Sequence, residues 1–295
     1  MEKHKTLQKF LIPRVNFVFP ILFICFFSSP AFSQDAQLKE SQPMHFKNEF
    51  FYFLGGSYYL GDINPQKHFY MTQPSFGYVL KHRYSPHIAF RFNIIYGGIE
   101  GDDSKSPLIE QKERNLNFKS YILEFSVQVE YNFLKYETER FPKYFASYVF
   151  LGTGLFLFRP KALYNGAEYE LEPLATEGQG TSAKPGSSRY SLTQISIPFG
   201  LGMTMNLTER IRLSLEWGMR MTFTDYLDDV STTYTDPMLL YNEISPLSPA
   251  LADRSITGTN HTGKTRGNSM NNDWYNFSGL LIGFTLEKPK MKNKN

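Results

Sequence analysis

The chain has 295 residues, with 31 Lys and Arg against 28 Asp and Glu, a single cysteine and 16% aromatic residues. That balance supplies no basic excess for nucleic acid, and one Cys rules out an internal disulfide framework or a thiolate metal site. After residue 33 no apolar run reaches the ~18 residues of a spanning helix, which leaves a soluble all-β fold or a barrel that crosses a membrane with strands.

Residues 1–33 read as an export signal. Lys3, Lys5, Lys9 and Arg14 form a basic start, VNFVFPILFICFF supplies the apolar stretch, and AFS precedes an expected cleavage between Ser33 and Gln34. Cys25 lies inside that stretch behind Ile24, which is too large for lipoprotein processing. The four basic residues against Glu2 carry the whole net +3, so the expected mature chain is formally neutral and free of cysteine. Residues 34–48 then form a short N-terminal segment, 49–287 the folded unit and 288–295 a basic tail.

Eight segments follow with strand character. The first, 49–60, is apolar on both faces and carries Gly55 and Gly56, so the pattern does not orient it. Segment 74–84 is joined through Ser85-Pro86 to 87–98, where Ile88, Phe90, Phe92, Ile94 and Tyr96 oppose Arg91 and Asn93. In 117–134 the alternation is longest: Tyr121, Leu123, Phe125, Val127, Val129, Tyr131 and Phe133 oppose Glu124, Ser126, Gln128, Glu130 and Asn132, with Ile122 as the exception. Such a period of two places successive side chains on opposite faces of a strand. Segment 142–158, with Gly152 and Gly154, is again apolar on both faces. Segments 189–206 and 210–225 alternate cleanly, the latter setting Ile211, Leu213, Leu215, Trp217, Met219 and Met221 against Arg212, Glu216 and Arg220. Segment 274–287 closes the series.

The connections are long after odd-numbered segments (61–73, 99–116, 159–188, 226–273) and short after even ones (85–86, 135–141, 207–209). Short periplasmic turns and long extracellular loops on an even strand number are the habit of transmembrane barrels. The expected fold is therefore an all-β, eight-stranded, antiparallel up-and-down transmembrane barrel, with apolar faces in lipid and polar faces in the lumen. Eight strands enclose just enough room for side chains. Arg91, Arg212 and Arg220 are accordingly expected to pair with Glu124, Glu130 and Glu216 as a structural plug, because buried charges persist only when paired.

Several motifs point elsewhere. Gly258 to Thr265, GTNHTGKT, matches G-x-x-x-x-G-K-[ST], but no strand precedes it and no helix follows, so nucleotide binding is not expected. Asp102, Asp103, Glu177, Asp225, Asp228 and Asp229 cluster at loop ends, where oxygen ligands suit calcium. Their spacing is not that of an EF-hand, and polar loop packing is the plainer reading; no metal or cofactor is expected. His82 alone could serve a lipid hydrolase at the bilayer edge, and no histidine has a recognisable catalytic spacing. Asp236-Pro237 and Ser248-Pro249 read as helix starts within the last loop.

The strings FLGGSYYLGDINP (53–65), LEPLATEGQG (171–180), IPFGLGM (197–203), FTDYLDDVSTTY (223–234) and RGN with DWY (266–275) resemble those of the PorG-like outer-membrane barrels of the Bacteroidota. That family includes a component of type IX protein secretion and relatives of unassigned role. The resemblance singles out Thr176, Glu177, Gly178, Gln179 and Gly180, together with Asp225, Tyr226, Asp228 and Asp229. It implies a non-enzymatic outer-membrane protein whose partners are membrane lipids and the periplasmic secretion ring. That ring is built from a PorK/GldK-like lipoprotein and a PorN/GldN-like partner. The ring would be met at the short turns and at the lysine-rich tail. A surface adhesion or ligand-binding barrel acting through its long loops is the alternative.

Overall fold

The computed structural model describes residues 48–134, 145–208 and 210–286. The expected cleavage at Ser33 and Gln34, most of the N-terminal segment, the turn 135–141 and the tail 288–295 lie outside the described residues.

Eight strands build the wall: β1 Asn48–Leu60, β2 Gln73–Arg83, β3 Ile88–Asp102, β4 Asn117–Asn132, β5 Phe145–Phe158, β8 Thr193–Asn206, β9 Ile211–Thr222 and β10 Trp274–Thr285. A short hairpin, β6 Lys161–Tyr164 and β7 Ala167–Glu170, extends the sheet from β4 in the third loop. The wall is antiparallel throughout. Each strand pairs with its neighbour in sequence, and β1 pairs with β10 from Glu49 opposite Thr285 to Leu60 opposite Trp274, which closes the barrel. Closure leaves no open sheet edge, the condition for placing strands in hydrocarbon. The long loops carry three short helices: α1 Ile109–Arg114, α2 Pro237–Glu243 and α3 Ser248–Ala252. Asp236 caps α2 by accepting from the Met238 amide, as its Asp-Pro start requires.

Alternation sorts the side chains. Val127, Leu151 and Leu215 stand 55–59% exposed on the outside, whereas Arg91, Glu130 and Arg212 are each 1% exposed inside. An unburied apolar row of this kind on every strand would be untenable in water but is the lipid-facing belt of a membrane barrel. The two strands left unoriented by sequence now have a sense. Phe51, Phe53 and Tyr59 of β1 and Phe150, Phe156 and Phe158 of β5 point inward, while Tyr52, Leu54, Leu151 and Leu155 face out.

The bare inward backbone at Gly200, Gly202 and Gly218 explains how a narrow barrel holds such rings. A Cβ at Gly202 would meet the Tyr148 ring at 2.3 Å, and one at Gly200 or Gly218 would meet Phe150 at 2.6 or 2.8 Å. Ile122, the exception in β4, belongs to an apolar layer with Ile95, Phe156, Phe158 and Phe277 that separates the charged lower lumen from the loops above.

Candidate functional site

The lower lumen is a ladder of ion pairs. At the short-turn end, Glu49 on β1 accepts two bonds from Arg83 at 3.1 Å each, and Arg212 approaches the same carboxylate at 3.2 Å. One level up, Lys81 meets Glu130 at 2.6 Å, and Arg91 bridges Glu130 at 3.6 Å and Glu216 at 2.9 Å. The Tyr148 hydroxyl also donates to Glu216 at 2.9 Å. Highest, Arg220 pairs with Glu124 at 3.0 Å, and Tyr275 donates to that carboxylate at 2.8 Å. Aromatic rings take the cations' other faces: Lys81 lies 4.7 Å over Phe51, Arg91 4.7 Å over Phe150 and Arg220 4.8 Å over Phe277.

Of the residues expected to pair, Arg91, Glu130 and Glu216 form one ion-paired group and Arg220 and Glu124 another. Arg212 does not join them; its partner is Glu49, near the start of β1, because the shear of the barrel sets the base of β9 against that end. Glu49, Lys81 and Arg83 join the network beyond the expected set, and Val79, Lys81 and Arg83 alternate with outward Tyr78, Leu80 and His82, a period-two signal for the last two. His82 itself bonds Asn48 at 2.8 Å at the base.

Above the apolar layer the four long loops interlock into a cap, and the residues of the family strings form its centre. Glu177, fully buried, accepts from the amides of Ser231 and Thr232 at 2.8 and 2.9 Å and from the Thr232 hydroxyl at 2.6 Å. It also accepts from Arg266 at 3.1 Å and from Tyr226 at 3.3 Å. The turn that delivers it needs glycine. Gly178 has φ 78°, and a Cβ there would meet Thr235 at 2.6 Å. Asp229 accepts from Thr176 and Tyr190 and lies 3.6 Å from Arg266. Gln179 accepts from the Glu177 amide at 3.3 Å.

A second knot joins the first two loops. Arg114 grips Asp103 at 2.7 and 2.9 Å and donates to the carbonyls of Asp62 and Arg266. Asp62 receives the Asn268 amide at 3.0 Å. Asp228 receives the Tyr59 hydroxyl and the Val230 amide, and Asp273 the Leu227 amide at 2.9 Å. Asp62, Arg114, Arg266 and Asp273 complete a cluster of which sequence alone singled out Asp103, Glu177, Asp225, Asp228 and Asp229 as loop-end carboxylates.

Carboxylates outnumber guanidiniums here, and the electrostatics follow. Burial, with mutual repulsion among Asp62, Asp225, Asp228 and Asp273, pushes Asp228 and Asp273 well above the usual carboxylate range. Burial lifts Asp225 to about 7, reinforced by Asp62 and Glu177, and lifts Asp229 to about 6 against the pull of Arg266. Burial opposes the charge on Arg266, but Glu177 and Asp229 more than offset it and hold the guanidinium protonated. Among the described residues no group of three or more acidic or histidine side chains is arranged to hold a metal ion. The stretch 258–265 forms turns with no helix after it among the described residues. Chemically the cap is a latch of buried carboxylates gathered around two arginines, Arg114 and Arg266.

Among solved structures the chain is similar to the attachment invasion locus protein Ail of Yersinia pestis. The identity is 7%, the match covers 82% of this chain and 99% of that one, and the TM-score is 0.38. It is similar as well to Neisserial surface protein A (11% identity, 82% and 97% covered, TM-score 0.36) and to the outer membrane protein OprG of Pseudomonas aeruginosa (10%, 81% and 97%, TM-score 0.37). No curated protein matches the chain. A family model described as a domain of unknown function, DUF6089, matches residues 35–239, more than two thirds of the sequence and all the wall strands except β10. The chain belongs to the DUF6089 family.

Proposed function

We propose that this protein is a non-enzymatic outer-membrane barrel that serves as a structural component of type IX protein secretion and anchors the periplasmic ring. The observation that carries the structural half of this reading is the filled lumen. Ion pairs and aromatic rings occupy the interior from Glu49 to Phe277, and the loops are tied to one another above it. A barrel built this way works through its surfaces. The family strings support a structural role too, since Glu177 and Asp229 spend their hydrogen bonds on neighbouring loops. The ring-facing surface would be the short turns near Ser85, 135–141 and 207–209 with the lysine-rich tail, meeting the PorK/GldK-like lipoprotein and its PorN/GldN-like partner. Pull-down of the tagged protein from membranes should recover ring components, and a deletion strain should lose secretion. Intact secretion with no ring protein recovered refutes the proposal.

One observation favours a second reading, a surface ligand-binding barrel. Pro237, Met238, Tyr241 and Pro249 make an apolar patch on the cap, with Met238 66% and Tyr241 53% exposed. A variant carrying Met238→Ser and Tyr241→Ser that keeps wild-type surface binding excludes this reading.

A further inference from the structure

The first long loop, 61–72, does not simply stand above the barrel. Along β1 the even residues face outward, and Tyr58 is one of them, yet it is 1% exposed. Its ring meets His68 at 5.7 Å and Phe69 at 5.0 Å, and its hydroxyl bonds His68 Nδ1 at 2.9 Å. On the other side it receives the Trp217 indole N–H at 3.3 Å and contacts Met219 sulfur at 3.7 Å. Tyr58 pairs across with Asn276 of β10, and Asn276 pairs with Met219 of β9. The Tyr58 side chain therefore lies across the outer face of β10 and seals Asn276, an outward polar residue at 0% exposure whose amide is satisfied by Gly218 and Met219. Gly56 on the same outer row carries Thr72 of the loop's return. A Cβ there would sit 2.4 Å from the Thr72 methyl.

The loop is thus folded down the outside wall. From Phe50 to Tyr58 the strand rises eight residues, roughly 26 Å along its axis and about 20 Å along the barrel at a typical tilt of about 40°. That distance lies inside a lipid-facing band ~25 Å tall, near its upper edge. At this level the loop presents Phe69, 60% exposed, and Lys67, whose ammonium lies 4.7 Å over the Tyr70 ring. Phe69 and Met71 both have positive φ, 57° and 49°, a conformation that bulky residues keep only when their surroundings demand it.

We propose that residues 67–71 are a membrane-interface strap, with Phe69 inserted among the acyl chains of the outer leaflet and Lys67 held at the headgroups. The observations are continuity with the lipid-facing wall, a bulky apolar residue turned out at strained geometry, and an aromatic ring paired with a lysine, the side-chain types that settle at such interfaces. The inference rests on the barrel crossing a bilayer and is independent of the secretion reading.

The test places single cysteines in the full chain with Cys25→Ser, each labelled with an environment-sensitive fluorophore. The barrels are reconstituted in phosphatidylcholine vesicles carrying nitroxide at a shallow or a deep acyl position, and heat-modifiable migration on gels verifies the fold. Phe69→Cys should be quenched at least twofold more by the shallow probe than by the deep one. Leu54→Cys, mid-wall, should be quenched strongly by the deep probe, and Ile256→Cys, on the cap, by neither. A label at 67 (Lys67→Cys) should be quenched less than that at 69 by both probes. Phe69→Cys behaving like Ile256→Cys while Leu54→Cys is quenched overturns the strap alone. Loss of quenching at 54 as well overturns it together with the transmembrane reading.

Discussion

Glu177→Gln is the substitution that most directly tests how the loops are held. The amide keeps the shape of the side chain but loses its charge, and turns one acceptor oxygen into a donor facing the Thr232 amide and hydroxyl, 2.9 and 2.6 Å from Oε2. Breaking a buried ion pair costs about 3–5 kcal/mol when the partner is stranded. Arg266 is not wholly stranded, because Asp229 remains 3.6 Å away. The low end, about 3 kcal/mol, is therefore expected, and at about 1.4 kcal/mol per tenfold it raises the open fraction of the cap on the order of a hundredfold. Hydrogen exchange of the protein in nanodiscs reads this directly. The amides of Ser231 and Thr232 should lose protection by about that factor, while the wall strands, tied by their own ladders, keep theirs. Exchange within twofold of wild type at 231 and 232 would refute the central role of Glu177. Equal loss across the wall would show that cap and barrel melt as one unit.

The remaining expectations address charge, pH and closure. Glu124→Leu strands Arg220 and should destabilise the barrel by about 3–5 kcal/mol in urea unfolding from vesicles, with much of the loss recovered when Arg220→Leu is added; no loss would mean the lumen is wet. Asp225 and Asp229 titrate near 7 and 6 in the fold against an ordinary value of 3.8, so between those limits the folded state binds more protons than the unfolded one. Their contribution is fully present below about 4 and is lost as pH rises through 6 and 7. Proteolysis of the 226–273 loop should accordingly be faster at pH 8 than at pH 5.5 after correction for protease activity, and Asp225→Asn should flatten that dependence. Gly279→Ala would put a Cβ 2.4 Å from the Leu54 carbonyl and 2.5 Å from Gly55 Cα, backbone that cannot step aside at the seam between first and last strands. The yield of heat-modifiable barrel should fall several-fold, and an unchanged yield would show that the seam relaxes.

Much of the wall was legible because a bilayer-spanning strand must repeat with a period of two, and β4 does so even through Ile122, which points inward into an apolar layer. The ends were less so. β3 runs to Asp102 where the alternation suggested 98, β8 begins at Thr193 where it suggested 189, and β9 ends at Thr222 where it suggested 225. Beyond the lipid belt an outward residue such as Glu100 costs nothing, so the strand continues after the pattern has stopped. The β6–β7 hairpin had a local signal that was missed. Asn165-Gly166, at φ 50° and 80°, forms its turn, and Asn-Gly is the commonest two-residue hairpin loop. The cap had none of this kind. Glu177 meets Ser231 across 54 positions, and Arg114 meets the Arg266 carbonyl across 152. No spacing rule reaches over such distances, and Arg114 within its short helix looks like an ordinary surface charge.

Asp273 stands immediately before β10, and its position joins two events that could otherwise be separate. Its side chain accepts from Leu227 in the last loop, its carbonyl accepts the Thr222 hydroxyl at the top of β9, and the next residues enter the β1 pairing at Leu60 and Tyr59. At the other end Thr285 meets both Glu49 across the seam and the Arg212 side chain. The final strand is thus pinned at both ends, like a zip with a stop at each terminus. A slip of one residue would send Tyr275 into lipid and Asn276 into the lumen. Assembly should therefore be digital: the last strand seats in one register and completes the latch above it in the same step, or it does not seat.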